Sequence, residues 1–215
     1  ATKAEANSFG FQKSFVVPLA TDFRQQTAKT KPARLLFSGR IIPLKGLSWF
    51  VSEVLDRLPD DVELDVVGTI WDQKEAECLA DPRVNHLGTM DQSELARAFA
   101  SALAVIVPNI ETVSGQFEGF GLVAIEAAAA GGIVLASDHG GLKEAVQDRE
   151  TGYVLPSGQP DAWIEKICEI RGWSDSDRGE FIARASAAAV ANYGWDRVAS
   201  ETLQAYQHAL SARRS

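Results

Sequence analysis

The chain has 215 residues, 46% hydrophobic and 23% charged, an ordinary balance for a soluble globular protein and long enough to bury a full core. Its net charge of −8 argues against a nucleic-acid partner, and lets phosphate bind only where local cations overcome the background field. The two cysteines and three histidines are scattered without metal-ligand spacing, which reads as two reduced structural thiols and no protein-held metal, and no apolar run reaches the length of a membrane span.

Residues 1–30 read as a lead-in or linker. Within them Phe15-Val16-Val17-Pro18-Leu19 is either an edge strand or an extended connection. Arg34-Leu35-Leu36-Phe37-Ser38 reads as a buried strand, followed by the loop Gly39-Arg40-Ile41-Ile42-Pro43-Leu44-Lys45-Gly46 and a helix over 47–58. The alternation continues with a strand at 62–67, a short helix at 73–79 and a strand at 84–87. Asp91, with Glu94 three residues on, predicts a capping box for a helix that runs to about Ser101. A strand at 103–107 stops at Pro108; strands at 133–136 and 152–155 flank a short helix at 142–146. Helices at 163–171, 175–192 and 195–213 complete the chain, broken at Gly172 and Gly194. Apolar strands alternating with helices predict a Rossmann-like parallel sheet covered on both faces, with extra carboxyl-terminal helices and a ligand at the carboxyl ends of the strands.

The chain is organised around Glu118-Gly119-Phe120-Gly121-Leu122-Val123-Ala124-Ile125-Glu126, a loop that turns into a helix and ends at Gly131-Gly132. Free N–H groups near Gly121, Leu122 and Val123 would receive an anion such as a phosphate. Glu118 and Glu126 bracket that position, and carboxylates accept hydrogen bonds from the paired hydroxyls of a ribose or sugar ring. Taken alone, the Gly-rich turn is a tight connection and Glu126 a solvated helix residue. Gly119-x-Gly121-x-x-Ala124 also fits a loose dinucleotide fingerprint, but that motif should directly follow the first strand, and this stretch comes late. Arg40 and Lys45 sit at the carboxyl end of the first strand, hence on the same edge, where one planar fork and one point charge suit a diphosphate. His139 reads as a loop residue and Glu144 as a helix-start residue. Trp71 either covers the site or packs.

Gly39-Arg40 with Lys45-Gly46, then Glu118-Gly119-Phe120-Gly121 with Glu126, then Gly140-Gly141 with Glu144, resemble the nucleotide-sugar half of the retaining glycosyltransferases of the two-domain GT-B fold, family four type. The resemblance covers about residues 34–156. It implies that Arg40 and Lys45 hold the diphosphate of a UDP-, GDP- or ADP-linked sugar and stabilise the leaving group. By the same resemblance Glu118 binds the transferred hexose, Glu126 the ribose, and the Gly39 loop and residues 119–123 surround the phosphates. His86 and Leu87 become the neighbours of the base. It implies no cofactor and no metal, and cytoplasmic placement that allows peripheral membrane association through another domain. Residues 31–193 would be the donor domain and 194–215 a helix packing toward an amino-terminal acceptor domain. Since about thirty residues precede the first strand and the chain begins with Ala, the expectation is a fragment that lacks that domain; the alternative is a free-standing nucleotide-sugar-binding module. A nicotinamide-dependent reductase would need its fingerprint after the first strand, which Gly39-Arg40-Ile41-Ile42 does not supply.

Overall fold

The computed structural model describes Phe15 and residues 17–112, 115 and 118–212. Among them six strands form one parallel sheet: β1 (Arg34–Ser38), β2 (Glu63–Val67), β3 (Val84–Gly88), β4 (Ala104–Val107), β5 (Val134–Ser137) and β6 (Tyr153–Leu155). They lie side by side as β3-β2-β1-β4-β5-β6, with Leu36 opposite Asp65 on one side and Val105 on the other. Successive strand residues face opposite sides. Leu35, Phe37, Val66, Ile106 and Leu135 therefore enter one core, while Leu36, Val105, Val107, Val134 and Ala136 enter the other. Burial on both faces is why these strands are continuous apolar runs rather than alternating ones.

Helices supply the two covers. On one face α1 is a continuous helix that changes pitch, from Leu47–Trp49 through a π-type stretch at Phe50–Val54 to a 3-10 turn at Leu55–Arg57. It packs with α5 (Pro160–Arg171), whose Trp163 is fully buried and meets Trp49 and Phe50 edge to face. The other face takes α2 (Gln92–Ser101) and α3 (Leu122–Ala130). The capping box holds: Asp91 Oδ1 accepts the Glu94 N–H at 2.8 Å, and Glu94 Oε2 accepts the Asp91 N–H at 3.1 Å. A short α4 (Leu142–Ala145), then α6 (Asp175–Asn192) and α7 (Trp195–Ala212), complete the chain. Among the described residues no helix is long and apolar enough to cross a membrane.

The structure decides one open alternative and corrects other sequence expectations. Residues 15 and 17–19 form no strand: Phe15 and Leu19 are half exposed, Pro18 spends its carbonyl on the Arg197 guanidinium, and β3 and β6 are the sheet's edges. Val16 lies outside the described residues. The helix predicted from 163 starts at Pro160, because the fixed φ of proline suits a first turn that needs no N–H donor. The segment at 73–79 is a 3-10 turn, Glu75–Ala80. Glu75 leaves that turn's surface, is buried, and accepts the Ser48 N–H at 2.9 Å and its hydroxyl at 2.8 Å, so its carboxylate caps the start of α1. Cys168 is exposed and Cys78 half-buried, both as free thiols, so Cys168 has no place in the core.

Trp163 also donates its indole N–H to the Pro156 carbonyl at 3.1 Å. Trp163→Ala should lower unfolding free energy by about 3–5 kcal/mol through cavity formation; a guanidinium midpoint that hardly moved would show that this core is not what holds α1 and α5 on the sheet.

Candidate functional site

In an open parallel sheet, the crevice for a ligand opens where neighbouring strands send their chains in opposite directions. Here that place lies between β1, whose chain moves on to β2, and β4, which moves on to β5. Lys45 follows β1, in the 3-10 turn Pro43–Lys45. Asn109 and Glu118 follow β4, ahead of α3. The two loops meet across the crevice: Lys45 Nζ donates to Glu118 Oε2, and Asn109 Nδ2 donates to the same oxygen at 3.0 Å. The Lys45 and Glu118 side chains are only 14% and 16% exposed, so the pair is shielded from solvent.

Glycines set the approach. Gly121, the residue before α3, takes φ 82, and a Cβ there would stand 2.4 Å from a Leu142 methyl. Only glycine adopts this turn without strain, and it lets the Gly121 N–H turn onto the Glu118 carboxylate. The Gly140-Gly141 pair supports the same loop from β5: the Gly141 N–H donates to the Glu118 carbonyl at 2.8 Å, and a Cβ on Gly141 would come within 2.4 Å of the Gly119 carbonyl oxygen. Those two glycines hold the loop in place by close backbone packing.

Lys45, Glu118, Gly119, Phe120, Gly121, Leu122 and Val123 thus line one cleft of about 490 Å³, which Glu144 and the lead-in residues Pro18 and Leu19 complete. Of the three amides expected to greet an anion, that of Gly121 faces the Glu118 carboxylate and helps to hold its carboxyl down; those of Leu122 and Val123 have no acceptor within the helix. A larger cavity, about 860 Å³, lies between α1 and the Glu75–Ala80 turn, with Asp56, Asp72, Glu75, Glu77 and Asp81 in its wall against the one cation Lys74. Five carboxylates repel phosphate, so the smaller cleft is the candidate site.

Other expected residues lie outside that cleft. Arg40 is exposed, its guanidinium 5.1 Å from the centre of the Trp71 ring. Gly39 donates its N–H to Val67 across the strand ends, so its amide is committed to the sheet. His86 and Leu87 are exposed on edge strand β3, two strands from β1, with His86 Nε2 2.9 Å from the Gly68 carbonyl. Glu126 is half-buried in α3, one turn beyond the cleft lining. Asn109 escaped sequence reasoning, although its position directly after the strand-ending Pro108 was a signal. It is fully buried, and its Oδ1 finds no partner, as do His139 Nε2 and the Ser137 hydroxyl nearby in the chain ends of β4 and β5.

A family model described as "Glycosyl transferases group 1" matches residues 20–172. The chain belongs to that family. Among its relatives, the D-inositol 3-phosphate glycosyltransferase of Paenarthrobacter aurescens is 32% identical over 206 residues, 88% of this chain and 48% of the relative. The phosphatidyl-myo-inositol mannosyltransferase of Mycobacterium leprae is 35% identical over 183 residues, 80% of this chain and 46% of its own length. The chain spans about half the length of the curated relatives it matches. Among solved structures, the sucrose-phosphate synthase of Thermosynechococcus elongatus overlays with a TM-score of 0.79 at 24% identity, over 98% of this chain and 57% of the synthase. Anabaena Alr3699/HepE, solved in complex with UDP-glucose, overlays at 0.67 and 21%, over 83% of this chain and 49% of its own. The sheet order and its covering helices therefore share the Rossmann-like α/β fold of these solved structures, as the motifs implied.

The two carboxylates of the motif titrate in opposite directions. Burial pushes Glu118 up, but the Lys45 charge and hydrogen bond, with those of Asn109 and the Gly121 N–H, outweigh it and hold the carboxyl below its ordinary 4.5. Burial alone raises Glu126 above 4.5. A lowered carboxyl contributes stability that is present above its unfolded value and lost as pH falls through its folded value; a raised one contributes below its unfolded value and loses that as pH rises through its folded value. Glu126→Gln should therefore gain stability on the parent as pH rises above about 4.5, whereas Glu118→Gln should fall behind as pH rises toward about 4.5 from below and keep that deficit at higher pH. Denaturation midpoints at several pH values check this, and parallel slopes for the two variants would contradict it.

Proposed function

We propose that this group 1 glycosyl transferase chain is the donor side of a retaining enzyme. It moves a hexose from a nucleotide diphosphate sugar to a glycan or lipid-linked sugar acceptor. The observation that carries the reading is the meeting of Lys45, Asn109 and Glu118 across the β1/β4 crevice, beside the amino terminus of α3. A cation, an ionised carboxylate and outward-facing amides are what a donor of phosphates and hydroxyls requires. The relatives named for inositol phosphate and phosphatidylinositol glycosylation support the reaction class, and the neighbour solved with UDP-glucose supports the donor class.

In this reading the amides of Leu122 and Val123 and the cations Lys45 and Arg40 take the diphosphate. Glu118 accepts hydroxyls of the transferred sugar and Glu126 those of the ribose, while the base extends along the strand ends toward His86 and Leu87. Transfer breaks the bond between the sugar's anomeric carbon and the leaving phosphate oxygen and forms one to the acceptor oxygen. The acceptor proton passes to the departing diphosphate on the same face, which gives retention. Negative charge grows on the leaving group, where Lys45, Arg40 and the helix end stabilise it with dipoles and charges already in place. Among the described residues no group of three His, Cys, Asp or Glu side chains is placed to hold a metal ion. The reading needs neither metal nor cofactor. It also places the acceptor on a second, amino-terminal domain and the enzyme in the cytoplasm, against the inner membrane face where the acceptor is a lipid.

Lys45→Ala and Arg40→Ala should each weaken UDP or GDP binding by about 1.5–3 kcal/mol, the range for hydrogen bonds to charged groups. Calorimetry on purified chains reads it, with a chelator in a parallel titration that should change nothing. Unaltered affinity in both variants, or binding lost to the chelator, would remove the cationic assignment.

Holding two reactants together accounts for roughly 7–11 kcal/mol of a barrier. Without an acceptor wall, the 215-residue chain should bind a UDP- or GDP-sugar yet transfer at a negligible rate. Rapid transfer by this chain alone would overturn the assignment of the acceptor to a second domain.

A further inference from the structure

Trp71 is the most exposed large hydrophobic residue of the described chain, 67% open, and belongs to no core cluster. An indole left in water invites an explanation, and this one is held in a fixed position. The Trp71 N–H and the Asp72 N–H both donate to the Ile41 carbonyl, at 3.2 and 3.1 Å, and the Ile41 N–H donates to the Thr69 carbonyl at 2.9 Å. Those bonds zip the segment after β2 onto the segment after β1, with Ile41 and Ile70 as a parallel bridge. The indole N–H then donates to the Thr69 hydroxyl at 2.9 Å, which fixes the ring. Its face is turned to Arg40, whose guanidinium carbon lies 5.1 Å from the ring centre, inside the range of a cation–π contact.

We infer that Trp71 is a positioning residue for Arg40, holding the guanidinium ready for the diphosphate of the donor. The inference rests on the proposed role of Arg40. Its chemistry is specific. A carboxylate partner would order an arginine by using its N–H groups and cancelling its charge, as Glu118 does to Lys45. An aromatic face orders it through the flat side of the cation, so the in-plane N–H donors stay open for phosphate oxygens. Among the described residues Arg40 has no ion pair, so the stack with Trp71 is its one recorded restraint. Without the ring, a long exposed side chain would have to be ordered at the moment of binding, which weakens affinity.

The test is a double-mutant cycle read by calorimetry with UDP and GDP on the 215-residue chain. Trp71→Ala should weaken binding of whichever diphosphate binds more tightly by about two- to fivefold, the size of an exposed cation–π contact. Trp71→Phe keeps a π face and should recover most of that loss. In an Arg40→Ala background, Trp71→Ala should have no further effect. Thermal midpoints of the Trp71 variants should match the parent, as the side chain is exposed. Equal or tighter binding by Trp71→Ala would overturn the inference, since the ring would then be idle or would park Arg40 away from the ligand. A loss that persists when Arg40 is absent would overturn it too, by showing that the indole touches the nucleotide itself. If the unaltered chain bound neither diphosphate, the donor reading would fall and the inference with it; binding that loses affinity in Arg40→Ala but not in Trp71→Ala sinks the inference alone.

Discussion

The Lys45–Glu118 pair, with Asn109 on the same carboxylate oxygen, is the constraint around which the carboxyl edge of the sheet is built. It joins loops more than seventy residues apart in sequence across the one crevice the topology opens. Both side chains are largely removed from water, so each would be costly to bury alone; losing one partner of a buried pair typically costs about 3–5 kcal/mol. The surrounding structure reads as support for that pair. Glu75 caps the helix that follows Lys45, and the Gly140-Gly141 turn grips the Glu118 backbone. The Ser157 hydroxyl bonds the Asn109 carbonyl at 3.0 Å. Sheet, helices and turns therefore converge on the orientation of one carboxylate.

That convergence explains which features the sequence exposed and which it hid. Strands such as Leu35-Leu36-Phe37 were legible because both faces are buried, and α2 was legible because Asp91 and Glu94 advertise a capping box at fixed spacing. Gly121 after Phe120 signalled a tight turn because its backbone conformation and the nearby Leu142 leave no alternative to glycine there. Glu75 was illegible: a glutamate in a polar turn looks solvated, and only the fold reveals that a helix start lies over it. Asn109 was hidden for a related reason, since its value lies in meeting a residue nine positions on through a loop whose shape no periodicity encodes. The Phe15–Leu19 run left strand and connection open in sequence because apolar residues with β propensity also serve in extended chain, here with the Pro18 carbonyl bonded to Arg197 of the last helix.

Electrostatics sorts the surface in the same way. A chain of net charge −8 has no general attraction for phosphate, and the cavity of about 860 Å³ beside α1, with five carboxylates in its wall, disfavours it further. In the proposed reading a diphosphate approaching the strand ends would meet attraction near Lys45, Arg40 and the start of α3. Selectivity for place then follows from the contrast between a local positive site and a negative background, rather than from strong overall attraction.

Lys45, which lines the cleft, and Arg40, which lies outside it, are presented in opposite ways, and in the proposed donor reading the difference divides their work. Lys45 is shielded and already neutralised by Glu118, so a ligand gains little net charge from it but finds a donor fixed in direction, with N–H bonds to spare beyond the one given to the carboxylate. Moving it would strand Glu118, whose carboxyl stays below its ordinary range largely because Lys45 opposes the burial that would raise it. Arg40 is exposed, uncompensated by any ion pair among the described residues, and stacked on an aromatic face. In the proposed donor reading it supplies a charge that no carboxylate cancels, while Lys45 supplies a donor of fixed direction. Under that reading an acidic chain would use both, because a neutralised lysine alone would not draw phosphate from solution and a solvent-exposed arginine alone would not hold it in register with Glu118 and the amides of α3.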